Sequence, residues 1–262
     1  ICRHITVSHN SIYDTPRAGI NVSEGTWGGH IIEFNDVFDT VKETGDHGSF
    51  NSWGRDRFWH PHRQVMDSLV NAEPSLILAD VTSPIVLRHN RFRCDRGWDI
   101  DLDDGSGNYH IYNNLCLNGG IKLREGFYRV VENNIIVNNS FHPHVWFKNS
   151  GDVFTRNIVM SSYRPIQVRH WGLEVDYNIF TDSTAYQKAR KQNTDAHSIV
   201  CTPAFLNPSR GDYRIDNHSD AVFRCGFRNF DMDRFGVVSP RLKALAKTPE
   251  FPKPILMEEG KA

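Results

Sequence analysis

His89-Asn90-Arg91-Phe92, Asn113-Asn114-Leu115, Asn133-Asn134-Ile135-Ile136, Arg156-Asn157-Ile158-Val159 and Tyr177-Asn178-Ile179-Phe180 are one phrase written five times. The repeated Asn falls at 90, 114, 134, 157 and 178, in steps of 24, 20, 23 and 21 residues. His9-Asn10-Ser11-Ile12 and Phe34-Asn35-Asp36-Val37 fit the same phrase upstream. A period of this size marks a chain that stacks one supersecondary unit on the next. Each unit holds two or three short β-branched runs and no helical stretch. The leucine pattern of a leucine-rich repeat is absent. The expected fold class is therefore all-β, a parallel β-helix (solenoid). Asn tolerates the left-handed backbone region and can bond from coil to coil, so these Asn residues read as structural.

A second repeat runs in step with the first. Gly19-Ile20-Asn21-Val22-Ser23-Glu24-Gly25, Asp99-Ile100-Asp101-Leu102-Asp103-Asp104-Gly105 and Gly120-Ile121-Lys122-Leu123-Arg124-Glu125-Gly126 alternate apolar and polar residues, then end in acid-Gly. Period-two alternation marks a half-buried strand. Ile100, Leu102, Ile121 and Leu123 are expected inside; Asp101, Asp103, Lys122 and Arg124 are expected outside. The pattern is continued in Val145-Trp146-Phe147-Lys148 and Ile166-Gln167-Val168-Arg169, which puts Phe147 inside with Leu102 and Leu123.

The chain has 262 residues, 39% of them apolar and 23% charged, with a net charge of −1. That length suits one elongated domain of roughly ten coils. No basic stripe points to nucleic acid, and no apolar run reaches the ~18 residues of a membrane span. Cys2, Cys94, Cys116, Cys201 and Cys225 form no CxxC pair and are odd in number, so they read as small core fillers. Ile1-Cys2-Arg3-His4-Ile5-Thr6-Val7 already reads as a strand with no cap before it. The solenoid is thus expected to be incomplete at its N-terminus, with earlier coils and any secretion signal missing or removed. Such an end would associate with those coils or with a second copy of the chain.

The expected organisation is a β-helix domain over 1–238 and an extended tail over 239–262. Residues 41–75 break the rhythm. Polar, aromatic and Gly-rich, they read as a long loop insertion, a type usually functional. Its part 44–62 is expected to fold over the face bearing Asp103 and Glu125. Residues 181–200 lose the alternation and read as a short surface helix. Gly211–Ile215 reads as a last strand, and 221–238 as a segment packed over the final coil.

Stacking the coils in that register makes columns. One outward column reads Asp101, Lys122, Trp146, Gln167, and the next reads Asp103, Arg124, Lys148, Arg169. The turn column reads Asp104, Glu125, Asn149, His170. Stacked residues lie ~4.8 Å apart, so Asp103 or Asp104 falls within one coil of Glu125. Carboxyl groups ~5–5.5 Å apart fit a retaining glycosidase and ~6.5–9.5 Å an inverting one; the register favours the shorter spacing. Three Asp within four residues are costly on a purely structural face. Trp53, Trp59, Trp98 and Trp146 offer sugar-stacking surfaces. Asp46, His47, Arg55, Lys122, Arg124, Lys148, Arg169 and His170 offer hydroxyl or anion contacts. His60-Pro61-His62 and His142-Pro143-His144 place two rings each on one side, but no third ligand stands near. Each pair reads as substrate-contacting or structural, with His144 counted among the substrate contacts, and no metal site is assigned.

Trp98 to Ser106, Gly120 to Gly126 and the closing Gly226-Phe-Arg-Asn-Phe-Asp-Met-Asp-Arg-Phe-Gly236 resemble secreted bacterial right-handed parallel β-helix carbohydrate-active enzymes. The family named is the glycoside hydrolase family 120 β-xylosidases. The resemblance covers residues 1–238. It implies a retaining, exo-acting glycoside hydrolase on plant or algal polysaccharide fragments, secreted or periplasmic, with no cofactor. Glu125 would be the acid/base and Asp103 or Asp104 the nucleophile, with Asp101 a poorer third choice. Two other readings stand beside it. A polysaccharide lyase would hold calcium on the Asp cluster and use Lys122 or Arg124 as base. A carbohydrate-binding β-helix would bind sugar without turnover.

Overall fold

The computed structural model describes residues 2–24, 27–216 and 218–256. It is mostly β, and the chain visits three parallel sheets in rotation. The first sheet takes Thr6–Ser8, Ile31–Glu33, Ile85–Arg88, Tyr109–Tyr112, Arg129–Glu132, Val153–Thr155 and Glu174–Asp176. The second takes Ser11–Tyr13, Asp36–Phe38, Arg91–Arg93, Leu115–Leu117, Ile135–Val137, Ile158–Val159, Ile179–Phe180 and Ile199–Val200. The third takes Ile20–Val22, Gly48–Trp53, Trp98–Asp103, Ile121–Leu123 and Phe141–Pro143. Side chains of period two from all three meet in one core. Phe50, Ile100, Leu102, Ile121, Leu123 and Phe141 face Leu87, Ile111 and Phe154 from the first sheet, and Phe92, Cys116 and Ile136 from the second.

The Asn repeat forms a ladder. Each Oδ1 accepts from the backbone N–H and the Nδ2 of the Asn one circuit earlier, running from Asn10 through Asn35, Asn90, Asn114, Asn134 and Asn157 to Asn178. Asn35 to Asn178 are fully buried. The ladder ends where Asn178 Nδ2 donates to Asp195 Oδ1. The left-handed conformation falls not on these Asn but on the residue before each, from His9 (φ 56°) and His89 (φ 52°) to Tyr177 (φ 57°). There the corner turns, and the Asn side chain supplies the bonds the corner leaves open.

Several expectations need correction. The strand Gly48–Trp53 lies inside the stretch read as an insertion; it is a regular member of the third sheet, pairing with Ile20–Val22 and Trp98–Asp103. The irregular excursion runs instead from 54 to 84 and carries the helices Arg63–Ala72 and Pro74–Leu78. The third sheet continues from Ile121–Leu123 into Phe141-His142-Pro143, not Val145–Lys148. Proline marks a strand break in sequence, but it is tolerated here on the terminal strand. Leu102 and Leu123 therefore align with Pro143, while Phe147 stacks on Phe127 at 4.5 Å in a separate cluster with Phe58.

The short helix expected within 181–200 is Ser183–Arg190, capped by Asp182; it packs Ala185 and Ala189 on the core and leaves its other face exposed. The segment 222–238 is not confined to the final circuit. Val222, Cys225, Phe227 and Phe230 cover the outer face of the second sheet at Leu115, Leu117, Ile135 and Val137. It then reaches the first strands, where Gly236 N donates to Phe34 O. The tail holds one helical turn, Pro240–Lys243, before running extended past Asn138; residues 257–262 lie outside the described residues. The five cysteines are free, with Cys94, Cys116 and Cys225 buried. Among the described residues no helix is long and apolar enough to cross a membrane.

Candidate active site

The outward face of the third sheet carries the chemistry. In register across it stand Asn21, Asn51, Asp101, Lys122 and His142. Trp53 pairs with Asp103 two residues on, and the next two strands carry Arg124 and His144 beyond their last pairs. Asp101 and Lys122 point away from the core yet are buried, 0% and 3% exposed. The 44–59 segment, Trp98 and the neighbouring strands cover them.

Two cations organise the carboxylates. Lys122 Nζ lies 3.0 Å from Asp101 Oδ1, 3.6 Å from Asp103 Oδ2 and 3.6 Å from Asp46 Oδ1. Its ammonium sits 4.1 Å from the centroid of the Trp98 ring. Burial works to lower the Lys122 pKa, but the carboxylates, Asp101 foremost, hold it above the usual value. Burial pushes the Asp101 carboxyl up to about 7 against the pull of Lys122.

Arg124 is the second organiser. Its Nη1 lies 3.0 Å from Asp103 Oδ1 and 3.2 Å from Asp104 Oδ1, and its Nε is 2.8 Å from Glu125 Oε2. Asp104 is also held by Arg55, Nη2 to Oδ2 at 2.9 Å. Glu125 is 2% exposed. Its Oε1 accepts a hydrogen bond from Trp59 Nε1 at 3.2 Å, while its contact with Arg124 is an ion pair without hydrogen-bond alignment. Burial raises the Glu125 pKa, and Arg124 only partly offsets it.

Local backbone explains the arrangement. After Asp103 the chain turns through Asp104 (φ 38°) and Gly105 (φ 79°). A Cβ on Gly105 would meet the Trp59 ring at 2.8 Å, so glycine lets that indole lie over the turn and reach Glu125. Behind it, Arg129 and Asp152 form a fully buried bidentate pair, at 2.7 and 2.6 Å. Arg129 Nη1 also donates to the Arg124 carbonyl, which anchors the cation that gathers the three acids.

The open cleft over this face, about 590 Å³, is lined by Asp46, His47, Trp53, Arg55, Asp103, Asp104 and Arg124. Trp53 donates to Glu24 and lies under Arg17, whose Nε donates to His47 Nε2 at 2.8 Å. His144 lines an adjoining cleft, its pKa lowered to about 4 by burial and then by Lys122. Four expectations fail. Trp146 is 1% exposed, in the core, its Nε1 donating to Leu123 O at 2.9 Å; it offers no stacking surface, because the rung opposite Lys122 is His142. The same slip of register displaces Lys148, Arg169 and His170. They are exposed and make no described bond or ion pair with the carboxylates.

Arg17 was not legible as a site residue; Glu24 stood only as the acid closing the first copy of the second repeat, and His142 only in a His-Pro-His pair. Arg17 lies far upstream as a single exposed charge, and His142 belonged to an unrecognised strand. Asp46, Asp101 and Asp103 place oxygens within 4.8 Å of one another, as hard cations require. The Lys122 ammonium already touches all three. A divalent ion would have to expel it, so the donor set does not fit calcium. No family model, curated protein or solved structure matches this chain.

Proposed function

We propose that the three sheets close as a right-handed parallel β-helix and that the cleft hydrolyses glycosidic bonds with retention. Parallel crossovers are right-handed in nearly all proteins, and from Thr6 to Pro143 the three sheets are filled in rotation. One observation carries the chemistry: a buried carboxylate, Glu125, and a cleft-lining one, Asp103, share the Arg124 guanidinium. Asp103 lines the cleft and pairs with both Arg124, at 3.0 Å, and Lys122, at 3.6 Å. Glu125 is buried under Trp59 with its pKa raised, which favours the protonated form. A buried acid held beside a second, cleft-lining carboxylate suits an acid/base and nucleophile pair.

In this reading Asp103 attacks the anomeric carbon while Glu125 gives its proton to the leaving oxygen. Glu125, now ionised, takes a proton from water as that water cleaves the glycosyl-enzyme. Asp103 is favoured over Asp104 because its charge acts on Glu125, whereas Asp104 is tied to Arg55. Trp53, Trp59 and Arg55 bind sugar. Polysaccharide fragments of plant or algal origin suit such a cleft, with the protein secreted or periplasmic. The lyase reading is weaker, since its base must lose a proton and Lys122 is held charged. The test is turnover of unactivated oligosaccharides and aryl glycosides. Glu125→Gln is expected to lose about 10²–10⁴-fold on the former, and azide is expected to restore Asp103→Ala with inverted product. Near-normal turnover in both variants would remove the assignment.

A further inference from the structure

Beside the carboxylate cleft lies a second one of about 590 Å³, lined by Arg96, Trp98, Asn118, Asn139, His142, His144 and Arg164. The two adjoin, since Gly45 lines the second and its neighbour Asp46 the first. His142 stands next to Lys122 across the sheet, and His144 bridges on to Ile166. The pair of clefts therefore crosses successive rungs ~4.8 Å apart, a path along which an extended chain can lie.

Their charges differ. The first cleft mixes Asp46, Asp103 and Asp104 with arginines. Among the described residues the only acid lining the second is Asp95, which pairs with Arg93 at 3.0 Å and accepts from Asn118 at 2.8 Å. Arg96 and Arg164 have no ion-pair partner among the described residues. Arg96 spends one N–H on Lys42 O, and Arg164 makes no described side-chain bond. His142 Nε2 faces Asn139 Oδ1 at 2.8 Å. That oxygen already accepts from Ser140 N and can only accept, so His142 carries its proton on Nε2 and leaves Nδ1 bare. Burial, then nearby cations, lower the pKa of His142 to about 3 and of His144 to about 4. Both rings are thus neutral at pH 7 and suit sugar hydroxyls. The positive charge of the cleft is left to the two guanidiniums, which match planar or tetrahedral anions.

We propose that this second cleft binds an anionic sugar unit, through a uronate carboxylate or a sulfate ester on Arg164 and Arg96, with Trp98 and the two histidines contacting the ring. It makes the substrate of the neighbouring carboxylates an acidic oligosaccharide, and in that clause alone it rests on the hydrolase reading.

The experiment is calorimetric titration of the full chain with trigalacturonate, its methyl ester, a monosulfated galactobiose and the unsulfated parent. The Glu125→Gln variant is used alongside, so that binding is read without turnover. The expected result is that at least one anionic sugar binds about tenfold or more tighter than its neutral counterpart. Arg164→Ala, an exposed site, is expected to remove that preference, and added salt to weaken it. Preference for galacturonate alone or sulfate alone identifies the anion. Equal binding of charged and neutral sugars, no binding of any, or a preference that survives both Arg164→Ala and Arg96→Ala overturns the proposal. Binding of the anionic sugar without cleavage of any substrate sinks the hydrolase reading and leaves this one standing. Cleavage of neutral sugars with no anionic preference does the reverse.

Discussion

At the scale of single residues, protonation distinguishes the buried acids. Trp59 donates to Glu125 and so favours its ionised form. Trp59→Phe keeps the ring and removes that bond, which moves the Glu125 pKa further up. A general acid works protonated, so the alkaline limb of kcat/KM is expected at higher pH in this variant; an unmoved limb would show that Trp59 does not act on Glu125. Asp56 gives a stability counterpart. It is 5% exposed, its Oδ2 has no hydrogen-bond partner, and burial followed by the Asp80 charge raises its pKa to about 7. The unfolded chain releases this proton near pH 4. Stability from the group is therefore present below pH ~4 and is lost as pH rises to about 7. Asp56→Asn is expected to gain Tm over the parent progressively from pH 4 to 7, by several degrees at pH 8. The same Tm difference at pH 4 and pH 8 would refute that account.

At the scale of elements, the Asn ladder is the part most open to measurement. Asn134 Nδ2 donates to Asn157 Oδ1, Ile111 O and Glu132 O at 2.9, 3.0 and 3.0 Å. Its Oδ1 accepts from Asn114 N and Nδ2. Asn134→Ala leaves several buried groups unpaired, at about 1–3 kcal/mol each when unsatisfied. A loss of about 3 kcal/mol or more is expected from denaturant midpoints. Asn10→Ala, at the half-buried start of the ladder, is expected to cost about 1 kcal/mol. Equal costs at the two positions would mean the ladder is not a buried network. The ladder was legible because one residue type recurs with the period. The strands Gly48–Trp53 and Phe141–Pro143 were not, since Gly-Ser-Phe-Asn-Ser and Phe-His-Pro carry weak strand propensity and gain their state from paired neighbours.

At the scale of the whole molecule, one continuous core joins the three sheets, so a charge placed inside it acts on every layer nearby. Leu123 is fully buried between Leu102 and Pro143. Leu123→Asp is expected to cost more than about 4 kcal/mol, with little folded protein recovered; normal expression and an unchanged Tm would contradict this packing. The segment 222–238 adds a second layer, making the second sheet apolar on both faces. That explains the Leu115-Cys116-Leu117 and Ile135-Ile136-Val137 runs, which do not alternate. It also ties the late part of the chain to the strand Ser11–Tyr13 through Val237 N and Ser11 Oγ.

The sequence by itself determined the period, the all-β class, the Asn ladder and the inward set Ile100, Leu102, Ile121 and Leu123, because each is a local pattern repeated in step. It also brought Asp103, Asp104 and Glu125 into view, since acid-Gly closes each copy of the second repeat. The tertiary structure alone decided which residues meet those acids. Arg124 gathers all three, Trp59 descends from a distant excursion onto Glu125, and Lys122 stands where a cation would sit. The rung after Lys122 is His142 rather than Trp146. A shift of four residues in reading the repeat moved one column into the core and another away from the cleft. Stacking register is set by pairing across circuits, and no single segment carries that information.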